Sequence, residues 1–182
     1  MFQPTSILGM GAAILLALPT PVSTDAQFVI SISGALRMTA TGSAEYGALP
    51  ATAEVPAAFS ITLGAQSESG ALVLMQRVGA MPLAGRYAVS EWSGQEGAAF
   101  SAIFVAGSPA EPIGVFRGES GTVTITATRP GRIEGKFRIE ARGFLAAAPD
   151  RDDVKVTLDG TFVAMGNHTV AIVHQISPDM PL

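Results

Sequence analysis

The stretch from Gly118 to Gly143, GESGTVTITATRPGRIEGKFRIEARG, limits what this chain can fold into more than any other. Val123, Ile125 and Ala127 alternate there with Thr122, Thr124, Thr126 and Thr128. After Pro130-Gly131, Ile133, Phe137, Ile139 and Ala141 alternate with Arg132, Glu134, Lys136, Arg138, Glu140 and Arg142. A period of two sends successive side chains to opposite faces, so each run reads as a strand with one dry and one wet side. Two such runs joined by a short break form a β-hairpin.

The parity of the hairpin constrains its turn. Directly opposed residues of an antiparallel pair share a face, and the inward residues of both runs carry odd numbers. A two-residue Pro130-Gly131 loop in an unbroken ladder would oppose Arg129 to Arg132 and drive Glu134 and Lys136 into the core. The loop therefore holds three or five residues, or the ladder contains a bulge. A trans Pro-Gly pair also favours a type II turn, whose twist suits a tight hairpin poorly.

Similar patterns recur along the chain. Phe28, Ile30 and Ile32 share one parity, which continues past Gly34 through Leu36 and Met38 as a single bent strand. Gly42 to Pro50 is turn-rich, with room for a short strand at Ala44 to Tyr46. Phe59, Ile61 and Leu63 mark a half-buried strand, whereas Ala71 to Val78 is apolar on both parities, as in a strand covered on both faces. Arg86 to Trp92, Ala99 to Val105, Ile113 to Phe116 and Val154 to Ala164 follow, with Thr169 to Ile176 last. Gly/Pro turns separate these runs, and helical spacing is absent. The expectation is an all-β chain of roughly nine or ten strands folded as an antiparallel β-sandwich, jelly-roll or Ig-like.

Length and composition set the remaining bounds. A chain of 182 residues predicts one domain. Charged residues make up 14%, against roughly 25% in typical soluble domains. The formal charge of −4 argues against a nucleic-acid partner, because phosphate contacts need a basic surface. With no cysteine, disulfides, thiolate metal sites and a lipidated N-terminal cysteine are excluded. Ile7 to Leu18 is an apolar run of signal-peptide length, ended by Pro19 and Pro21 and followed by Thr24-Asp25-Ala26. The expectation is a signal peptide over residues 1–26 and a single mature domain over residues 27–182. That domain would be exported, periplasmic or extracellular, with no membrane span of its own.

Few residues offer chemistry. Glu91 beside Trp92 is a carboxylate next to an aromatic platform, a combination seen in sugar sites. The row from Arg132 to Arg142 carries four cations and two carboxylates and faces a possible anionic polymer through Arg138 and Arg142. Mixed signs on a strand are also what an ordinary solvated face looks like. Asp150, Asp152 and Asp153 miss the EF-hand spacing. His168 and His174 lack further ligands, and Gly118-Glu119-Ser120-Gly121 falls one residue short of a nucleophile elbow. The candidate ligand-binding residues are thus Glu91, Trp92, Arg138 and Arg142. No catalytic, metal-binding or cofactor-binding set is expected.

The segments GRYAVSEW, AFSAIFVAG, SGTVTITATRPGRIEGKFRIEARG and VTLDGTFVA, from about Pro82 to Ala164, together resemble exported bacterial envelope β-sandwich proteins without an assigned activity. The resemblance implies a β-sandwich and an envelope address and carries over no catalytic residue. The function expected is a non-enzymatic binding or structural module, with an envelope or extracellular partner such as a glycan. Two alternatives are a β-barrel carrier of a small apolar ligand and a carbohydrate-active enzyme using Glu91.

Overall fold

The computed structural model describes residues 26–49, 57–65, 70–78, 80–91, 98–108 and 111–166. Within them run nine strands: β1 (Gln27–Gly34), β2 (Met38–Leu49), β3 (Ala58–Ala65), β4 (Gly70–Gln76), β5 (Gly85–Ser90), β6 (Ser101–Gly107), β7 (Pro112–Arg129), β8 (Arg132–Leu145) and β9 (Val154–Gly166). Apart from β5, each strand pairs antiparallel with its neighbours in sequence, and β9 returns to pair with β1. The pairing order β1-β2-β3-β4-β6-β7-β8-β9-β1 is a closed ring of eight strands. This is an up-and-down barrel and corrects the expected two-sheet sandwich. Local periodicity specifies which face of a strand is dry; it carries no information on whether the last strand meets the first.

Strand β5 sits outside the ring order and explains the length of β7, which has 18 residues. On one edge of β7, β6 pairs along Pro112 to Arg117, and β5 takes over along Ser120 to Ile125. Phe100 joins the two by exchanging backbone hydrogen bonds with Ala88 and Ser90, each 2.9 Å.

The barrel interior is packed with side chains. Seven of the eight phenylalanines among the described residues are buried: Phe28, Phe59, Phe100, Phe104, Phe116, Phe137 and Phe162. Ile30, Ile61, Leu63, Leu72, Leu74, Ile125, Ile133 and Ile139 fill the space between them. An eight-stranded barrel is just wide enough for such filling. Gln76 is the one buried polar side chain among the described residues, and its Nε2 donates to the Ala98 carbonyl at 2.6 Å. An apolar interior with charges outside is the reverse of a membrane-spanning barrel, whose lipid face is apolar and whose lumen is polar.

The hairpin turn holds two residues, with Arg129 opposite Arg132, and the ladder resolves the parity conflict by bulging. One irregularity lies between Ile125 and Ala127, another between Gly118 and Ser120. Each extra residue reverses the in–out phase of β7. Phe116 and Gly118 face inward, then Val123 and Ile125; beyond Thr126 the phase flips again. Ala127 therefore opposes outward Glu134, and Thr128 opposes buried Ile133, which corrects the reading of Ala127 as inward.

Near the N-terminal end, the single bent strand expected from Phe28 to Ala40 is a hairpin. β1 ends at Gly34, and the turn-rich segment from Gly42 belongs to the continuous β2. Leu36 and Met38 keep their parity with β1 but lie after the reversal, packed against the same core.

Candidate functional site

The outer row read from the sequence is present on β8. Arg132, Glu134, Lys136, Arg138, Glu140 and Arg142 alternate with buried Ile133, Gly135, Phe137, Ile139 and Ala141. Thr122 and Thr124 of β7 lie opposite Arg138 and Lys136, so the long side chains do stand beside a threonine ladder. Arg138 pairs with Asp159 of β9 at 3.6 Å, and Glu140 accepts a hydrogen bond from Thr157 at 2.8 Å. Arg86 of β5 donates to Thr122 at 3.3 Å.

One row differs from the others. Arg117 of β7 is directly opposite Arg142 of β8, which is directly opposite Lys155 of β9. Like charges set directly opposite one another destabilise a sheet, so a carboxylate beside three cations in a cross-strand line offsets part of that cost. Glu119, the extra residue of the first bulge, supplies it. Its carboxylate lies 2.6 Å from Arg142 Nε and 3.9 Å from Lys155 Nζ. The bulge re-aims the Glu119 side chain toward this row, a common use of bulges. Three cations against one carboxylate leave the row net positive on a chain whose total charge is −4.

Toward the end where β6 leads into β7 the same outer wall turns apolar. Ile103 pairs with Arg117, Val105 with Val115, and Val115 with Phe144; each pair shares the outward face. Val73 and Ala71 of β4 extend the patch by pairing with Ile103 and Val105. Ile103 is 46% exposed and Ile113 is 53% exposed. An open depression of about 450 Å³ lies here, lined by Gly64, Ala65, Gly70, Ala71, Val105, Gly107, Pro112 and Val115. Two residues along a strand span about 7 Å, so the apolar row Val105–Val115–Phe144 runs about 7 Å from the cationic row.

Of the residues singled out in the sequence, Arg138 and Arg142 stand on this wall, two positions either side of Glu140. Glu91 is exposed and follows Ser90, which pairs with Ser120 of β7. Strand β7 thus separates it from β8, and the four candidates do not converge on one site. Trp92, Asn167, His168 and His174 lie outside the described residues. Arg151 sits 3.4 Å from Asp153, and no group of three metal-ligating side chains occurs among the described residues.

Sequence reasoning missed Arg117, Lys155, the pairing of Glu119 with Arg142 and Lys155, and the apolar patch. The patch had left a signal, because Ala71 to Met75 and Ala102 to Val105 are apolar on both parities. A second covering layer was inferred for the first of these runs. In the structure its inward residues Leu72 and Leu74 are buried, while Ala71, Val73 and Met75 are half-buried on the outer face. Comparison with family models, with curated proteins and with solved structures returns no match.

Proposed function

We propose that this chain is an exported binding or structural module that works through the outer wall of its barrel. The observation that carries this reading is the division of labour in the side chains. The interior is filled by Phe59, Phe104, Phe116, Phe137 and their aliphatic neighbours, while the outer wall bears an apolar patch beside a net-positive row. Exposed contiguous apolar surface rimmed by polar groups marks interaction sites. The export address rests on the apolar run from Ile7 to Leu18 and on the resemblance to envelope proteins. A carrier of a small apolar ligand would use a hollow barrel, and a solid one leaves the outer wall as the working surface.

Native mass spectrometry of the protein purified from its own host tests the proposal. The expected species is a chain beginning at Gln27 without a small molecule held in the barrel. A chain retaining residues 1–26, or a tightly held apolar ligand that protects interior amides from exchange, would overturn it.

A further inference from the structure

We propose that the outer wall centred on β7 and β8, with Ile103 of β6 and Lys155 of β9 at its flanks, docks on an anionic phospholipid surface. This rests on the reading above that the barrel binds through its outer wall. The apolar component is Ile103, Ile113, Val105, Val115 and Phe144, of which Ile103 and Ile113 stand furthest out. Phe144 is the one phenylalanine among the described residues that points away from the core, and it lies opposite Val115. The cationic component is Arg117, Arg142 and Lys155, in line across three strands about 4.8 Å apart. Amphipathic interfacial helices bind by the same combination, an apolar face buried at the headgroup–acyl boundary beside basic residues attracted to anionic lipids. Ile103 flanks the cationic row opposite Arg117, and Val105, Val115 and Phe144 follow two residues further along the strands, so the two components adjoin on one wall.

Charge selects this occupant over a second copy of the chain. An isologous contact would set the Arg117–Arg142–Lys155 row against a like row, or strip it of water against the copy's apolar patch. Anionic headgroups supply counter-charge to the whole row at once, and acyl chains accept Ile103 and Ile113 without asking for hydrogen bonds.

The test is co-sedimentation of the full chain with phosphatidylcholine vesicles, with and without phosphatidylglycerol, at low and high salt. Binding is expected only with phosphatidylglycerol and is expected to fall as salt rises. Each cation removed from the row should weaken it about fivefold, so the Arg117→Gln/Lys155→Gln pair should lose about 25-fold. Ile103→Thr/Ile113→Thr, which keeps branched side chains on the strands, should weaken binding at least as much. All four positions are exposed, and an unchanged melting curve verifies the fold; should the cation pair melt early, Lys155→Gln alone carries the test. Equal binding to neutral vesicles, or binding unmoved by both pairs, would overturn the proposal and point to the apolar run at residues 7–18. A stable dimer dissolved by Ile103→Thr/Ile113→Thr would overturn it in favour of a second copy. A chain that ignores vesicles yet retains a protein or glycan partner in native mass spectrometry defeats the lipid assignment alone and leaves the outer-wall reading standing.

Discussion

Gly135 of β8 lies beneath the ring of Phe162, directly across the ladder in β9, and a Cβ at Gly135 would meet Phe162 Cζ at 2.5 Å. The arrangement repeats one step along with the roles exchanged. Phe137 opposes Gly160, where a Cβ would lie 2.7 Å from Phe137 Cζ. The two rings stack with centroids 6.4 Å apart and planes 28° from parallel. Each glycine makes room for a ring from the neighbouring strand, so the ring covers backbone that a glycine would otherwise leave bare. Backbone closes the other side, with the Thr124 carbonyl 2.8 Å from a Cβ at Gly135 and the Val29 carbonyl 2.5 Å from one at Gly160.

The first prediction is that Gly135→Ala and Gly160→Ala each destabilise the barrel. Neither ring can retreat, because both are buried in the core. Overpacking of this kind costs about 1–3 kcal/mol, and urea denaturation should place both variants in that range. The double variant should depart from additivity, since both substitutions push on the same stacked pair.

Gly131 gives a contrasting prediction. Its φ is 77°, and a Cβ there meets nothing within 4 Å. A type II turn needs a positive φ at its second central residue, and Pro130 presets the first. Gly131→Ala should therefore cost about 1 kcal/mol from backbone conformation alone. Gly131→Asn should cost less, because Asn tolerates the left-handed region. If both cost the same, crowding rather than φ would be the cause, and the open space around Gly131 would have been misjudged.

This hairpin also shows what a sequence can and cannot disclose. Alternation on β8 and β9 was legible because every inward position there is apolar or glycine, and the faces follow from parity. The bulges at Glu119 and Thr126 were not legible as positions, because neither residue type marks a bulge. Only the conflict between a Pro-Gly turn and the parity of its flanks betrayed that an extra residue or a longer loop was needed. Ring closure depends on β1 meeting β9 from the far end of the chain, which no local pattern encodes. The cationic row escaped for a related reason. Arg142 was visible along β8, but Arg117 and Lys155 are its neighbours across strands, and register comes from pairing rather than from spacing.

The segment between β4 and β5 offers a third prediction. Thr128 Oγ1 donates to the Pro82 carbonyl at 2.9 Å, and Tyr87 Oη donates to the Leu83 carbonyl at 2.8 Å. Two side chains thus pin adjacent carbonyls of one loop whose Leu83 is 75% exposed. Thr128→Val and Tyr87→Phe should each cost about 1 kcal/mol. Chymotryptic cleavage after Leu83 should accelerate in each variant and further in the pair, because local opening of the loop governs access. Cleavage unchanged in the double variant would mean that the loop is held by its packing rather than by these bonds.

The last prediction concerns Glu119 and separates lipid docking from general damage to the fold. Glu119 is the carboxylate that offsets Arg142 and Lys155, with 26% of its side chain exposed. Its ion pairs reach the surface, where such pairs contribute less than about 1 kcal/mol, so Glu119→Gln should barely move the melting curve. The same substitution raises the charge of the face by one. If the row meets anionic headgroups, Glu119→Gln should bind phosphatidylglycerol vesicles about fivefold more tightly than the parent chain at low salt, and the gain should shrink as salt rises. A destabilised or misfolded variant has no reason to gain affinity in a salt-dependent way. Weaker or equal binding would instead mean that Glu119 orients Arg142 and Lys155 for their ligand, or that the row takes no part in binding, and vesicle titration of Glu119→Gln beside Arg142→Gln tells these two apart: only in the second case are both variants indistinguishable from the parent.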